Sequence, residues 1–425
     1  MEGTMQRVIM KQVLFLILLA VAVVMVMGIV ICTNVNAQGL GLDLFQDWDW
    51  DDDWDDWDRG SRVSPVFRYN RVEGLYLGFR VNKEYWRRRY SSRPFLFGFS
   101  GYAFKVKELQ YQIGVEKGFF DEYRLAFGGE YHRMIDTPDR WMISDMENSL
   151  AAFLIKEDFH DFYMREGGSA YLKQNFTRDI TLSAAYHYDN LDSLERNAGW
   201  SLFGGKKEFR ENPPMASGEI RSVVGKLVID TRNSEKRTTR GWYIQIEGEH
   251  AGNELGGDFE FDRLLVDVRR YQPLGFGEGF DLRLRAGTSQ GELPWQRTYH
   301  LGGLSTLRGF SYKAFPHGPM DAGGNRMILA QLEYRMGSQD LPDELDWGLL
   351  ERFNLILFVD AGWVGFTDIE NGFFEGFESL TWSKLKSDVG IAFASRSGNI
   401  RFQIARRTDT NEKPYVFSFR INRPF

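Results

Sequence analysis

The chain of 425 residues has one cysteine, Cys32. Nothing after that position can form a disulfide or act through a thiol. The six histidines (His132, His160, His187, His250, His300 and His317) show no HExxH or paired-ligand spacing. No metal and no cofactor is therefore expected. Past Cys32, no stretch approaches ~18 consecutive apolar residues, which excludes a further helical membrane crossing. An excess of positive charge is also missing: the formal net charge is −7. Asp43 to Asp58 holds nine aspartates and no lysine or arginine, so the rest of the chain carries +2. A remainder so close to neutral makes nucleic acid a poor partner.

What the chain does have is aromatic side chains, at 15%, and 44 glycines. Short aromatic strands broken by glycine turns give this balance. Arg7 and Lys11 precede an apolar run from Val13 to Cys32, followed by Val35-Asn36-Ala37. That pattern predicts a secretory signal peptide over residues 1–37, cleaved before Gln38. An uncleaved helical anchor is the alternative. A lipid anchor on Cys32 is disfavoured by the bulky Ile31 before it.

Residues 38–65 read as an acidic, Trp-rich linker. Asp47 to Asp58 is DWDWDDDWDDWD, with Trp48, Trp50, Trp54 and Trp57. Like charges repel, which predicts disorder and a spacer role. The alternative is a docking tail, with 43–58 meeting a basic periplasmic partner or loosely holding cations.

From Val66 to Phe425, segments of ~8–12 residues alternate apolar and polar between turn residues. Period two places alternate residues on opposite faces. Phe280, Leu282 and Leu284 thus oppose Asp281, Arg283 and Arg285. Ile180, Leu182, Ala184, Tyr186 and Tyr188 oppose Thr181, Ser183, His187 and Asp189. The apolar faces are rich in aromatics, as membrane-interface girdles are. We therefore expect an all-β fold, a transmembrane antiparallel barrel of about sixteen strands at ~22 residues per strand and connection. Counting alone leaves roughly twelve to eighteen strands open. A soluble sandwich shows the same alternation, but the export signal favours the outer membrane.

One stretch departs from this pattern. Ser144 to Ile155, SDMENSLAAFLI, reads as a short helix with Ser144 as N-cap and Glu147 three residues on. It is expected as a connector at the barrel's end, with a partner-docking helix as the alternative. The chain closes on YVFSFRINRPF, with Tyr415, Phe417, Phe419 and Ile421 on one face and Phe425 last.

Leu301 to Phe310, LGGLSTLRGF, resembles the bacterial surface-antigen, BamA-TamA-type outer-membrane barrel superfamily. Asn325 to Met336 (NRMILAQLEYRM) and Phe358 to Gly362 (FVDAG) resemble the two strands that follow in that family. Asp230-Thr231-Arg232 with Arg240-Gly241-Trp242 resembles one of its hairpins. The resemblance implies that Arg308, Gly309 and Phe310 lie on an outer loop folded into the lumen. It also implies that Arg308 pairs with Glu333 and Asp360. Alternation independently puts both carboxylates inward, because Ile328, Ala330, Leu332, Leu355, Leu357 and Val359 take the lipid side. A terminal aromatic such as Phe425 is the signal that the barrel assembly machinery reads during biogenesis. Arg423 departs from the usual apolar residue there. Assembly members carry periplasmic POTRA domains, and the roughly 28 residues from Ala37 to Val66 leave no room for one.

The function this implies is assistance to protein or lipid insertion or translocation in the bacterial outer membrane, among its lipids. A weak seam between first and last strands would serve it. Gly74 and Gly78 are expected to weaken the first strand, and Pro414 and Pro424 flank the last, which carries Phe417 and Phe419. Ordinary closure is the alternative, and with it a structural or pore-forming barrel. An enzyme is a distant third. Gly287-Thr288-Ser289-Gln290-Gly291 fits GxSxG, but no helix follows to make a nucleophile elbow.

Overall fold

The computed structural model describes residues 62–83, 93–120, 125–234, 238–275, 278–315, 323–337, 353–368, 372–395, 398, 400–409 and 415–421. The expected signal and acidic tail, His317, Pro414, Pro424 and Phe425 lie outside them.

Sixteen strands form one antiparallel sheet in strict sequence order. They are β1 (Val63–Asn70), β2 (Gly74–Val81), β3 (Phe95–Ala103), β4 (Glu108–Phe119) and β5 (Leu125–Asp136). After α1 (Asp145–Ile155) come β6 (Tyr163–Asn175), β7 (Ile180–Ser193), β8 (Gly218–Asp230), β9 (Gly241–Ala251), β10 (Phe261–Gly275) and β11 (Glu278–Gly291). The last five are β12 (Arg326–Met336), β13 (Phe353–Gly365), β14 (Lys386–Ser395), β15 (Ile400–Arg407) and β16 (Val416–Ile421). The all-β fold of about sixteen strands is thus as expected.

Burial is inverted relative to a water-soluble protein. Phe79, Leu96 and Ile113 are 64–68% exposed, while Arg283, Arg401 and Arg420 are at most 1% exposed. On β11, outward Phe280 is exposed while its neighbours Asp281 and Arg283 are fully buried. Apolar groups on the outside and charges inside are stable only where hydrocarbon surrounds the wall.

Antiparallel alternation gathers the connections 137–162, 194–217, 292–325 and 366–385 at one end of the sheet. Outer-membrane barrels carry their longer loops on the outside, so this is the external end. At the other end, Thr231 N–H bonds the Trp242 carbonyl at 2.8 Å, and Arg232 bonds Asp230 at 2.6 Å. This is the β8–β9 hairpin read from the sequence.

Three sequence expectations need correction. The wall starts at Val63, not Val66. The strand carrying Gly74 and Gly78 is the second, not the first, so neither glycine lies at the seam. Gly78 pairs with Val66 on one side and Gly101 on the other. Gly74 ends the β1–β2 turn at φ +61°, a conformation glycine adopts without strain. Pro65 hid β1, since proline argues against a strand. Its N–H position shares parity with Tyr69, whose N–H points away from β2 to the Ser149 hydroxyl. At an edge, a missing donor breaks no ladder.

The third correction is to α1. Ser144 caps it, accepting from Glu147 N–H at 3.2 Å, as expected. The helix does not sit at the barrel's end. It lies against β1 and reaches β16: Phe153 meets Tyr69 ring-to-ring at 5.6 Å, and Glu147 bonds Arg420 at 2.7 Å.

Candidate functional site

Loop 292–325 enters the lumen as a set of tight turns. Gly302 and Gly303 take positive φ, at 122° and 73°. Gly303 N–H bonds the Leu307 carbonyl at 2.8 Å, and Gly302 N–H bonds the Thr306 hydroxyl at 2.8 Å. Leu301, Leu307 and Phe310 then pack on Leu265 of β10, Met327 and Leu329 of β12, and Val364 of β13. The apolar contact seats the loop, and the polar groups between those residues fix its register.

Arg308 is 3% exposed. Its Nε and Nη2 donate to the two oxygens of Asp360, each at 2.7 Å, and Nη1 donates to Glu333 Oε1 at 2.6 Å. The guanidinium also lies 3.6 Å from the centroid of the Phe358 ring. A planar fork of donors suits two carboxylates on neighbouring strands better than an ammonium does. Gly309 passes so close to the wall that an added Cβ would stand 2.6 Å from Asp388 Cβ and 3.1 Å from Arg406 backbone carbon. Phe310 receives the Arg407 guanidinium at 4.3 Å from its centroid.

The sequence reading missed the second cation of this clasp. Arg401 of β15 donates to both oxygens of Glu333, at 2.9 and 3.2 Å. Alternation through Ile400, Phe402 and Ile404 already marked Arg401 as inward. Also missed was Arg420 of β16. It donates to Glu147 at 2.7 and 3.1 Å and to Ser305 Oγ at 3.0 Å. The two loops thereby meet on one arginine.

The other candidate residues fall elsewhere. Phe417 and Phe419 are outward on β16, at 63% and 57% exposure, in the lipid-facing band. Ser289 of the GxSxG stretch lies near the end of β11 and donates to the Asn325 carbonyl at 3.2 Å. His132 bonds Asp189 at 2.8 Å inside the lumen. Among the described residues, no group of three or more His, Cys, Asp or Glu is placed to hold a metal.

Away from the clasp, charged side chains of β5 to β11 line the lumen. A cavity of about 210 Å³ is lined by residues including Lys83, Arg165, His187, Glu249, Arg263 and Arg297. At the external end, Lys313 bonds Asp139 and Asp161, at 2.7 and 2.5 Å. Burial alone would raise the Asp161 carboxyl, but Lys313, Arg210 and Arg71 outweigh it and hold it well below its usual range. Burial, then the nearby Lys313 charge, pushes His300 down to about 3.

A family model described as "Omp85 superfamily domain" matches residues 77–425. The chain is 24% identical over 315 residues to the "Outer membrane protein assembly factor BamA" of Nitratidesulfovibrio vulgaris, covering 69% of this chain and 37% of that one. It thus spans little more than a third of the length of that curated relative. Among solved structures it is similar to BamA from Haemophilus ducreyi lacking POTRA domains 1–3. The TM-score is 0.54 at 16% identity, covering 84% of this chain and 70% of the other. That likeness shows the barrel fold. CdiB from Escherichia coli gives a TM-score of 0.42 at 10% identity, over 84% and 61% of the two chains.

Proposed function

The chain belongs to the Omp85 superfamily of outer-membrane barrels, and from that premise we propose that it assists insertion or translocation of polypeptides or lipids at the outer membrane. One observation carries this reading. Fifteen successive strand pairs are hydrogen-bonded, while among the described residues β16 and β1 share no ladder. A wall that is continuous everywhere except at one pair of edges opens most easily there. Arg308, Glu333 and Asp360 serve on the opposite task, holding the inserted loop to β12, β13 and β15. The reading needs no catalytic group, so no enzyme activity is proposed. Its partners are lipids of the outer membrane and, during its own biogenesis, the assembly machinery that reads Phe425. The acidic stretch 43–58 is proposed as a contact for a basic periplasmic partner.

The charged cavity lined by β5 to β11 favours a second reading, a pore. Two measurements on the purified barrel separate them. Assistance predicts a small, unsteady conductance in planar bilayers and faster folding of an unfolded client barrel into liposomes. It also predicts that Arg308→Ala raises the conductance. A large, steady wild-type pore with no effect on client folding would overturn it.

A further inference from the structure

Among the described residues the wall has one break, and a single helix touches both sides of it. Ser149 Oγ accepts from the backbone N–H of Tyr69 on β1 at 3.3 Å. Glu147 Oε1 accepts from the backbone N–H of Ile421 on β16 at 3.0 Å. Both donors belong to the outermost strands of the ladder, where a sheet edge leaves such groups unpaired. Residues two apart on a helix point roughly 200° apart. Glu147 and Ser149 therefore reach in nearly opposite directions, which places α1 between the two strands.

The burial of α1 follows the same geometry. Asp145, Asn148, Ser149 and Ala152 are buried on one side, Glu147 is buried against Arg420 of β16, and Asn148 donates to Asp158 at 2.9 Å. Met146, Leu150, Phe153 and Leu154 share the opposite side of the helix and are half-buried or exposed. In water this helix would be inside out. Phe153 lies edge-on to Phe67 at 6.5 Å, and Phe67 is itself an exposed residue of the outer face of β1. The apolar side of α1 thus continues the apolar outside of the barrel.

We infer that α1 is a stave of the wall. It fills part of the gap between β1 and β16 and sets Met146, Leu150, Phe153 and Leu154 against lipid acyl chains. It also caps one edge donor on each strand, the Tyr69 N–H of β1 and the Ile421 N–H of β16. Eleven residues at ~1.5 Å each span about 16 Å, well short of the ~25 Å apolar band. The stave therefore closes part of the seam's height. It also occupies, on each edge, an amide that an added strand would need, so strand addition there requires α1 to withdraw. That last step rests on the proposed function; the lipid contact and the edge capping do not.

The test uses the full chain in phospholipid nanodiscs, with Cys32→Ser to leave no other thiol. A nitroxide is attached at Leu150→Cys, with Phe417→Cys as the lipid reference and Lys206→Cys as the aqueous one. Oxygen, which concentrates in hydrocarbon, should relax the Leu150 label as it does the Phe417 label. Relaxation chiefly by a water-soluble nickel chelate, as at Lys206, would overturn the stave. Hydrogen exchange in Glu147→Ala supplies an independent arm. The Ile421 amide should exchange about tenfold faster or more, and an unchanged rate would overturn the capping. Client folding is scored separately. If the label and exchange results hold but Glu147→Ala leaves client folding unaltered, the withdrawal step is overturned and the stave stands. If the wild-type barrel does not assist client folding at all, the proposed function fails instead.

Discussion

Two contacts between loops and wall can be compared within the same lumen. At the clasp, Glu333 receives both Arg308 and Arg401, and Asp360 receives Arg308 through two nitrogens together with Gln331 at 3.2 Å. At the seam, one carboxylate, Glu147, serves both Arg420 and the Ile421 N–H, and one hydroxyl, Ser149, serves Tyr69. At the clasp two arginines share two carboxylates; at the seam there is one bidentate pair, Glu147 with Arg420, and each edge strand is held by a single amide hydrogen bond. A cylinder built this way is stiff where the loop is clasped and yielding where the sheet ends.

The comparison breaks first if the clasp is not the stronger contact. Arg308→Ala leaves Asp360 buried beside Asp388 without its main cation, and such a loss costs about 3–5 kcal/mol. The midpoint of heat-modifiable gel mobility should fall, with Arg308→Lys recovering only part, since an ammonium lacks the fork. A drop smaller than that of a seam variant would reverse the ranking. Next comes Gly309→Ala. Asp388 and the backbone at Arg406 leave its Cβ no room, so overpacking should cost about 1–3 kcal/mol in urea unfolding. Glu147→Gln should cost about 1.5–3 kcal/mol, the range for a hydrogen bond to a charged group, because buried Arg420 loses its charge partner but keeps Ser305 and the Met142 carbonyl, and the amide oxygen still accepts from Ile421.

How much of this was legible follows from what each signal depends on. Alternation on β11, β12 and β13 is local, so the inward turn of Arg283, Glu333 and Asp360 could be read directly. The family match over 77–425 agrees with the resemblance carried by LGGLSTLRGF and FVDAG. Arg401 obeys the same rule between outward Ile400 and Phe402, but it belongs to no motif that ties it to Glu333. β1 was obscured by Pro65, whose edge position no local pattern announces. Glu147 was read as half of a capping box, yet its side chain bonds Arg420, 273 residues away. A contact at that separation is set by how the sheet curves its two ends together, and no window of sequence contains it.

A milder effect should come from pH at the external loops. His300 is held neutral in the fold, down to about 3. Between its ordinary value near 6.5 and that depressed value, the unfolded chain takes up a proton that the folded chain refuses. Stability from this group is therefore full above about pH 6.5 and declines as pH falls toward 3. Asp161, held low by Lys313, Arg210 and Arg71, adds its own loss only below about pH 4. Unfolding midpoints measured from pH 7 to 4 should drift down, and His300→Gln should make that slope shallower. A slope unchanged in that variant would place its origin elsewhere.

The smallest effect sharpens the comparison most. Ser149→Ala removes one neutral hydrogen bond to the edge of β1 and no charge. A typical bond of this kind contributes about 0.5–1.5 kcal/mol. The global unfolding midpoint should hardly move, yet exchange at the Tyr69 amide should rise. Exchange at amides beside Arg308 should stay as it was, because nothing at the clasp has changed. If both regions loosened together, the seam and the clasp would be one cooperative unit. The contrast between a stiff side and a yielding one would then fail.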